Sequence, residues 1–225
     1  MVALGQHLTV VQPETVDDYP YYAKEEIKAD ATAHLLGILG ALAAFAWLAS
    51  QSMIGFAGAL PLSLTIYALC MITLFCCSAA YHMTPKPQWR PVLRRFDQSA
   101  IFFKIAGTYT PLVVLIDTTL SYSLLAMVWG AALLGAGFKL GTGDRLDKYT
   151  VVIYLGISWS AVLLLWSLFT TLPLLSASLI VVGGVVYTVG VYFHQSGHIK
   201  YNNAIWHFFV LGGSACHFLA IANAI

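Results

Sequence analysis

Long stretches of this chain carry no charge. No Asp, Glu, Lys or Arg occurs from Ala31 to Pro85, from Thr150 to Ile199, or from Tyr201 to Ile225. Segments of that length are not surface segments of a water-soluble fold. A membrane-spanning helix needs about 20 mostly apolar residues, and seven runs meet that length within the accuracy of boundary assignment: Ala31 to Ser50, Ala57 to Tyr81, Gln98 to Ile116, Ser121 to Phe138, Val151 to Thr170, Leu172 to Phe193 and Ala204 to Ala224. The expected fold is an all-α integral membrane protein with seven transmembrane helices. Residues 25–225 form the transmembrane domain, and residues 1–24 are expected to be a cytoplasmic N-terminal segment.

Basic residues orient the spans, because cytoplasmic loops carry the excess of Lys and Arg. Lys24 and Lys28 precede the first span. Lys86, Arg90, Arg94 and Arg95 follow the second, Lys139, Arg145 and Lys148 follow the fourth, and Lys200 follows the sixth. The other three loops have no Lys or Arg. The alternation puts the N-terminus in the cytoplasm and the C-terminus outside, in a multi-pass protein of the cell inner (plasma) membrane. The opening MVALGQHLTVVQPETVDD lacks the basic and apolar regions of a cleaved signal peptide, so the first span is expected to act as the insertion signal. An odd number of spans without an internal repeat argues against an inverted-repeat transporter. Gly37, Gly40, Ala41 and Ala44 on the first span, and Gly183, Gly184 and Gly190 on the sixth, suit close helix contacts.

Composition agrees with a membrane protein: 59% hydrophobic and 9% charged, with a mean hydropathy of +0.78, against about 25% charged residues in soluble domains. A net charge of +1 leaves no basic stripe for phosphates, which excludes a nucleic-acid partner. Cys70, Cys76, Cys77 and Cys216 all fall within spans and read as small apolar packing residues rather than a disulfide framework.

Ionisable groups inside a bilayer are costly and are functional candidates by default. Here they are His34, His82, Asp97, Lys104, His207 and His217. With the alternating orientation, Ser78 and His82 end the second span, Asp97 starts the third and His207 starts the seventh, all at one depth on the cytoplasmic side. Ser78 and His82 are four positions apart and share a helix face. Histidines beside a carboxylate suit a zinc site in which imidazoles bind the ion and the carboxylate orients or deprotonates a water. The alternative is a set of interhelical hydrogen bonds near the headgroup layer.

His217 lies ten positions beyond His207, about 15 Å along the helix, too far to share an ion with it, so a buried hydrogen-bonding role is expected. His34 follows Glu26 and Asp30 at four-residue steps, either as part of a solvated helix start or at the mouth of a cavity. Lys104 is expected to snorkel to the interface or to pair with a buried carboxylate. His194 and His198 are expected to be solvated.

The segments SAAYH, RRFDQSAIFFKIAGTYTP and AIWHFFVLGGSACHFLAI, with the opening EEIKADATAHLLGILGAL, resemble the hemolysin III family, the bacterial branch of the progestin and adipoQ receptor superfamily. The resemblance covers the chain from about Glu25 to its end. It implies seven spans with a cytoplasmic N-terminus and a zinc ion near the cytoplasmic side. That ion would be bound by the histidine of SxxxH, which is His82, and by two histidines of HxxxH on the last span. The second of these is His207, while the first position holds Asn203, a poor zinc ligand beside imidazole. The resemblance further implies that Ser78 and Asp97 hold the water that the metal activates. Related proteins include ceramidases, which implies amide hydrolysis of a membrane lipid. Two other functions stay open at this point: a pore-forming or cytolytic protein, as the family name implies, and a non-enzymatic lipid sensor with a degenerate metal site.

Overall fold

The computed structural model describes residues 23–55, 57–142 and 147–225. Most of the expected N-terminal segment, and Arg145 in the loop after the fourth span, lie outside the described residues. The described chain is helical and contains no strand. Its helices are α1 (Lys24–Ile54), α2 (Leu60–Met83), α3 (Arg90–Ile116), α4 (Thr119–Thr142), α5 (Asp147–Trp159), α6 (Leu165–Thr171), α7 (Leu174–Gln195) and α8 (Asn202–Ala224). With α5 and α6 counted as one span, seven are long and apolar enough to cross a membrane. Leucines such as Leu35, Leu36, Leu39, Leu134 and Leu174 point outward, where lipid rather than water satisfies them.

The helices pack as a ring in which α7 meets α8, α8 meets α1, α1 meets α2, α2 meets α3, and α3 meets α4. Within it α3 is the most enclosed span. The α5–α6 span touches α3 and α7 only sparsely, which leaves a cavity between it and the rest of the bundle.

The fifth span is not the continuous helix expected from its apolar run. A 3-10 segment at Ser160–Leu164 separates α5 from α6. The carbonyls at the end of α5 are taken up from outside the helix: the Tyr109 hydroxyl on α3 lies 2.8 Å from the Ser158 oxygen and 3.1 Å from that of Ile157. The Ser160 hydroxyl donates to Ile157 at 2.7 Å. A break in a helix at membrane depth is tolerated where neighbouring side chains satisfy the freed backbone groups in this way.

Helices α7 and α8 interlock by placing rings over glycines. A Cβ on Gly183 would come within 2.5 Å of the His217 ring, one on Gly213 within 2.6 Å of the Tyr187 ring, and one on Gly190 within 2.6 Å of the Phe209 Cβ and 3.1 Å of the Trp206 ring. On α1, Gly37 lies under the Phe75 ring, and Ala41 and Ala44 are buried. Gly40 and Gly184 depart from the expected close contacts, since neither has a neighbour where a Cβ would stand; Gly40 is exposed on α1 and Gly184 faces the cavity.

The start of α1 and the start of α8 are tied by one side chain. Glu26 accepts from the backbone N–H of Ala23 at 2.9 Å and from that of Tyr201 at 2.8 Å. Tyr201 is the N-cap of α8 and has a left-handed backbone, φ 62°, a conformation that a non-glycine residue holds only at a cost.

Candidate metal centre

Four helices meet at one end of the bundle, and each presents polar side chains there. Helix α1 supplies Asp30 and His34, one turn apart and therefore on one face. Helix α2 supplies Ser78 and His82, α3 supplies Asp97, and α8 supplies Asn203 and His207. Asp30, His34, Ser78, Asn203 and His207 are all buried.

The imidazoles of His34, His82 and His207 cluster with ring centroids 4.3 to 5.4 Å apart. One nitrogen from each lies within 4.8 Å of the others, so the three form a group able to hold a metal ion. Zn–N bonds of about 2 Å would require nitrogens within roughly 4 Å of each other, so side-chain adjustment of under about an ångström closes the set.

Asp30 organises this group. Its Oδ1 is 2.5 Å from His207 Nδ1, and its Oδ2 is 3.6 Å from His34 Nε2 and 4.0 Å from His82 Nδ1. A carboxylate only accepts hydrogen bonds, so His207 carries its proton on Nδ1 and turns the lone pair of Nε2 inward. A carboxylate holding the far nitrogen of a histidine ligand is the usual outer partner of a metal site. His34 Nε2 is buried and makes no hydrogen bond within 3.5 Å, its nearest polar neighbour being Asp30 Oδ2 at 3.6 Å. Such an atom costs about 1–3 kcal/mol unless something engages it, and a metal ion would. The donor set therefore fits a metal, and imidazole nitrogens suit several divalent ions.

A carboxylate and a hydroxyl stand beside the imidazoles. Asp97 Oδ2 is 3.9 Å from His82 Nε2, and Ser78 Oγ is 3.5 Å from His207 Nε2. Asn203 is placed as a donor: its Nδ2 gives a hydrogen bond to Asp30 Oδ2 at 2.8 Å and approaches His82 Nδ1 at 3.2 Å. The third imidazole comes from His34, which is buried rather than part of a solvated helix start and lines one end of the cavity. The sequence signal for it was the four-residue step from Asp30 to His34, which puts the carboxylate and the ring on one face.

Lys104 departs from both expectations. It neither snorkels nor meets a carboxylate: it is buried, with Nζ 3.5 Å from His217 Nδ1 and 4.4 Å from the centre of the Tyr187 ring. His217 makes the buried hydrogen bonds expected of it, its Nε2 facing the Ile180 carbonyl at 3.3 Å, and it stands apart from the three-histidine group. His198 is exposed, as expected, whereas His194, though exposed in part, lines the cavity with its ring 5.1 Å from that of Trp206. A cavity of about 910 Å³ joins the two polar clusters, its walls running from His34, His82 and Asp97 past Lys104 to Leu164 and Leu168.

The comparisons with known proteins agree with this architecture. The haemolysin-III related family matches residues 24–218. A hemolysin-3 homolog from Bacillus subtilis is 35% identical over 200 residues, 88% of this chain and 93% of the relative. Hemolysin-3 of Bacillus cereus is 35% identical over 202 residues, 89% of this chain and 91% of the relative. The human monocyte to macrophage differentiation factor is 33% identical over 165 residues, covering 69% and 67% of the two chains. With its seven apolar spans and a match that covers most of its length, the chain belongs to the haemolysin III family of multi-pass membrane proteins.

Proposed function

We propose that this protein is a zinc-dependent hydrolase of the plasma membrane that cleaves the amide bond of a membrane lipid at a site near the cytoplasmic face. The observation that carries the reading is the convergence of three imidazoles, an aspartate and a serine at one end of a large, mostly apolar cavity. His34 Nε2 is buried and stands 3.6 Å from Asp30 Oδ2, beyond hydrogen-bonding distance, which leaves it able to engage an ion. The basic loops that alternate along the chain support the cytoplasmic placement.

His34, His82 and His207 would hold the ion, and Asp30 would keep His207 in the tautomer that ligation requires. When bound, zinc would supply a Lewis acid that polarises the amide carbonyl and lowers the pKa of water to about 7. Asp97 Oδ2 takes the proton of the attacking water and returns it to the leaving nitrogen, as a general base and then a general acid. The Ser78 hydroxyl orients that water. Water and amide are consumed, and a fatty carboxylate and an amine are released. The apolar walls of the cavity take the acyl chain and exclude bulk water.

The test is metal analysis of the purified protein together with hydrolysis of a fluorescent ceramide before and after chelation. Stoichiometric zinc, and turnover that chelation abolishes and zinc restores, are the expected results. A protein that takes up no zinc and cleaves no lipid amide would sink the reading. Release of dye from liposomes by the pure protein, absent from a denatured control, would favour a cytolytic function instead.

A further inference from the structure

We propose that Lys104, His217 and Tyr187 form a second binding site, distinct from the histidine group, that takes the carboxylate of a single-chain anionic amphiphile of the fatty-acid class. The site does not depend on a metal.

The argument begins with the cost of Lys104. An ionisable side chain at membrane depth is expensive and calls for a named partner. Lys104 is buried, lines the cavity, and has no carboxylate partner among the described residues. Seven positions separate it from Asp97 on α3, about 10 Å at the helical rise, so the carboxylate of the catalytic end does not compensate it.

Its surroundings are built rather than incidental. The His217 ring sits in the notch of Gly183 and the Tyr187 ring in the notch of Gly213, so that α7 and α8 each hold one wall of the site against the other. The Tyr187 hydroxyl is fixed to Ser214 at 2.6 Å. With its Nε2–H on the Ile180 carbonyl, His217 presents the lone pair of Nδ1 to Lys104. An ammonium has three donors. One is engaged by His217 and a second faces the Tyr187 ring, where cation–π attraction holds it. The third is left for the cavity.

One remaining donor and one positive charge match a monoanion; a phosphate dianion would bury an uncompensated charge. The walls beyond the ammonium are apolar, with Leu112, Leu164, Leu168 and Ile180 among them. A hydrocarbon chain attached to the anion would therefore be buried favourably along them.

The experiment is binding of radiolabelled palmitate to the purified full-length protein in nanodiscs, as isolated and again after chelation, with 1-hexadecanol as the uncharged analogue. Saturable stoichiometric binding that survives chelation is expected. Lys104→Met should weaken palmitate by about tenfold or more, the effect of one charge-assisted hydrogen bond, and leave hexadecanol unchanged, while Lys104→Arg should retain palmitate. In the unsubstituted protein, solid-state NMR with carboxyl-13C palmitate and 15N-lysine should give a dipolar contact that Lys104→Arg removes; this measurement stands even if the methionine variant does not fold. Absence of saturable binding, equal palmitate affinity in the wild type and Lys104→Met, or loss on chelation alone, which would put the carboxylate at the histidine group, would each overturn the proposal.

Discussion

His207 donates its Nδ1 proton to Asp30 across 2.5 Å, although 177 positions of chain lie between them. The same carboxylate receives the Asn203 amide, so one α1 residue sets the orientation of two α8 side chains. Replacing Asp30 by Asn should keep the fold but weaken zinc binding by about 10–100-fold, the usual cost of losing the partner of a ligating histidine. Competition against a fluorescent chelator measures it.

Substitution of His34 and of Asn203 should have unequal effects on metal content. His34→Ala removes an imidazole from the group and should abolish stoichiometric zinc. Asn203→Ala removes only a hydrogen bond to Asp30, so zinc should remain, at up to about tenfold lower affinity. Elemental analysis of the two purified variants decides which residue is the ligand. An intact metal content in His34→Ala would return the assignment to Asn203.

Asp97→Asn and Ser78→Ala should separate metal binding from turnover. Neither residue belongs to the three-imidazole group, so zinc should stay stoichiometric in both variants. On the proposed mechanism, Asp97→Asn removes the general base and should lower kcat for a fluorescent ceramide by about 10²–10⁴-fold. Ser78→Ala, which removes only an orienting hydroxyl, should show the smaller loss.

Two adjacent glycines on α7 make a stringent packing test. A methyl group at Gly183 would collide with the His217 ring, whereas one at Gly184 would meet nothing. Overpacking typically costs about 1–3 kcal/mol, so Gly183→Ala should lower the detergent-solubilised Tm. Gly184→Ala should leave it unchanged or raise it, since alanine is the better helix former.

The spans were legible in the sequence because a bilayer demands long charge-free runs, and chemistry that must hide from lipid stands out against them. That is why the linear pattern alone puts His82, Asp97 and His207 at one depth. His34 was harder to read: nothing in a linear pattern separates a solvated first turn from a buried one, and only the packing of α1 against α2 and α8 decides that its ring turns inward. Lys104 was unreadable for a related reason. Its neighbours, Tyr187 and His217, come from α7 and α8 and reach it only because Gly183 and Gly213 let those helices approach closely. The break after α5 was invisible too, since the Tyr109 hydroxyl that takes up its carbonyls belongs to another span.

The histidine group draws on the first, second and seventh spans and on none between them. During synthesis α1 and α2 enter the membrane early, and they carry Asp30, His34 and His82 there without a partner from α8. The first two helices bring only two of the imidazoles, and the complete set arises only when the seventh span arrives and Glu26 ties its start to α1. On the proposed function, metal loading awaits the seventh span, so the order of assembly is set by which helices carry the imidazoles.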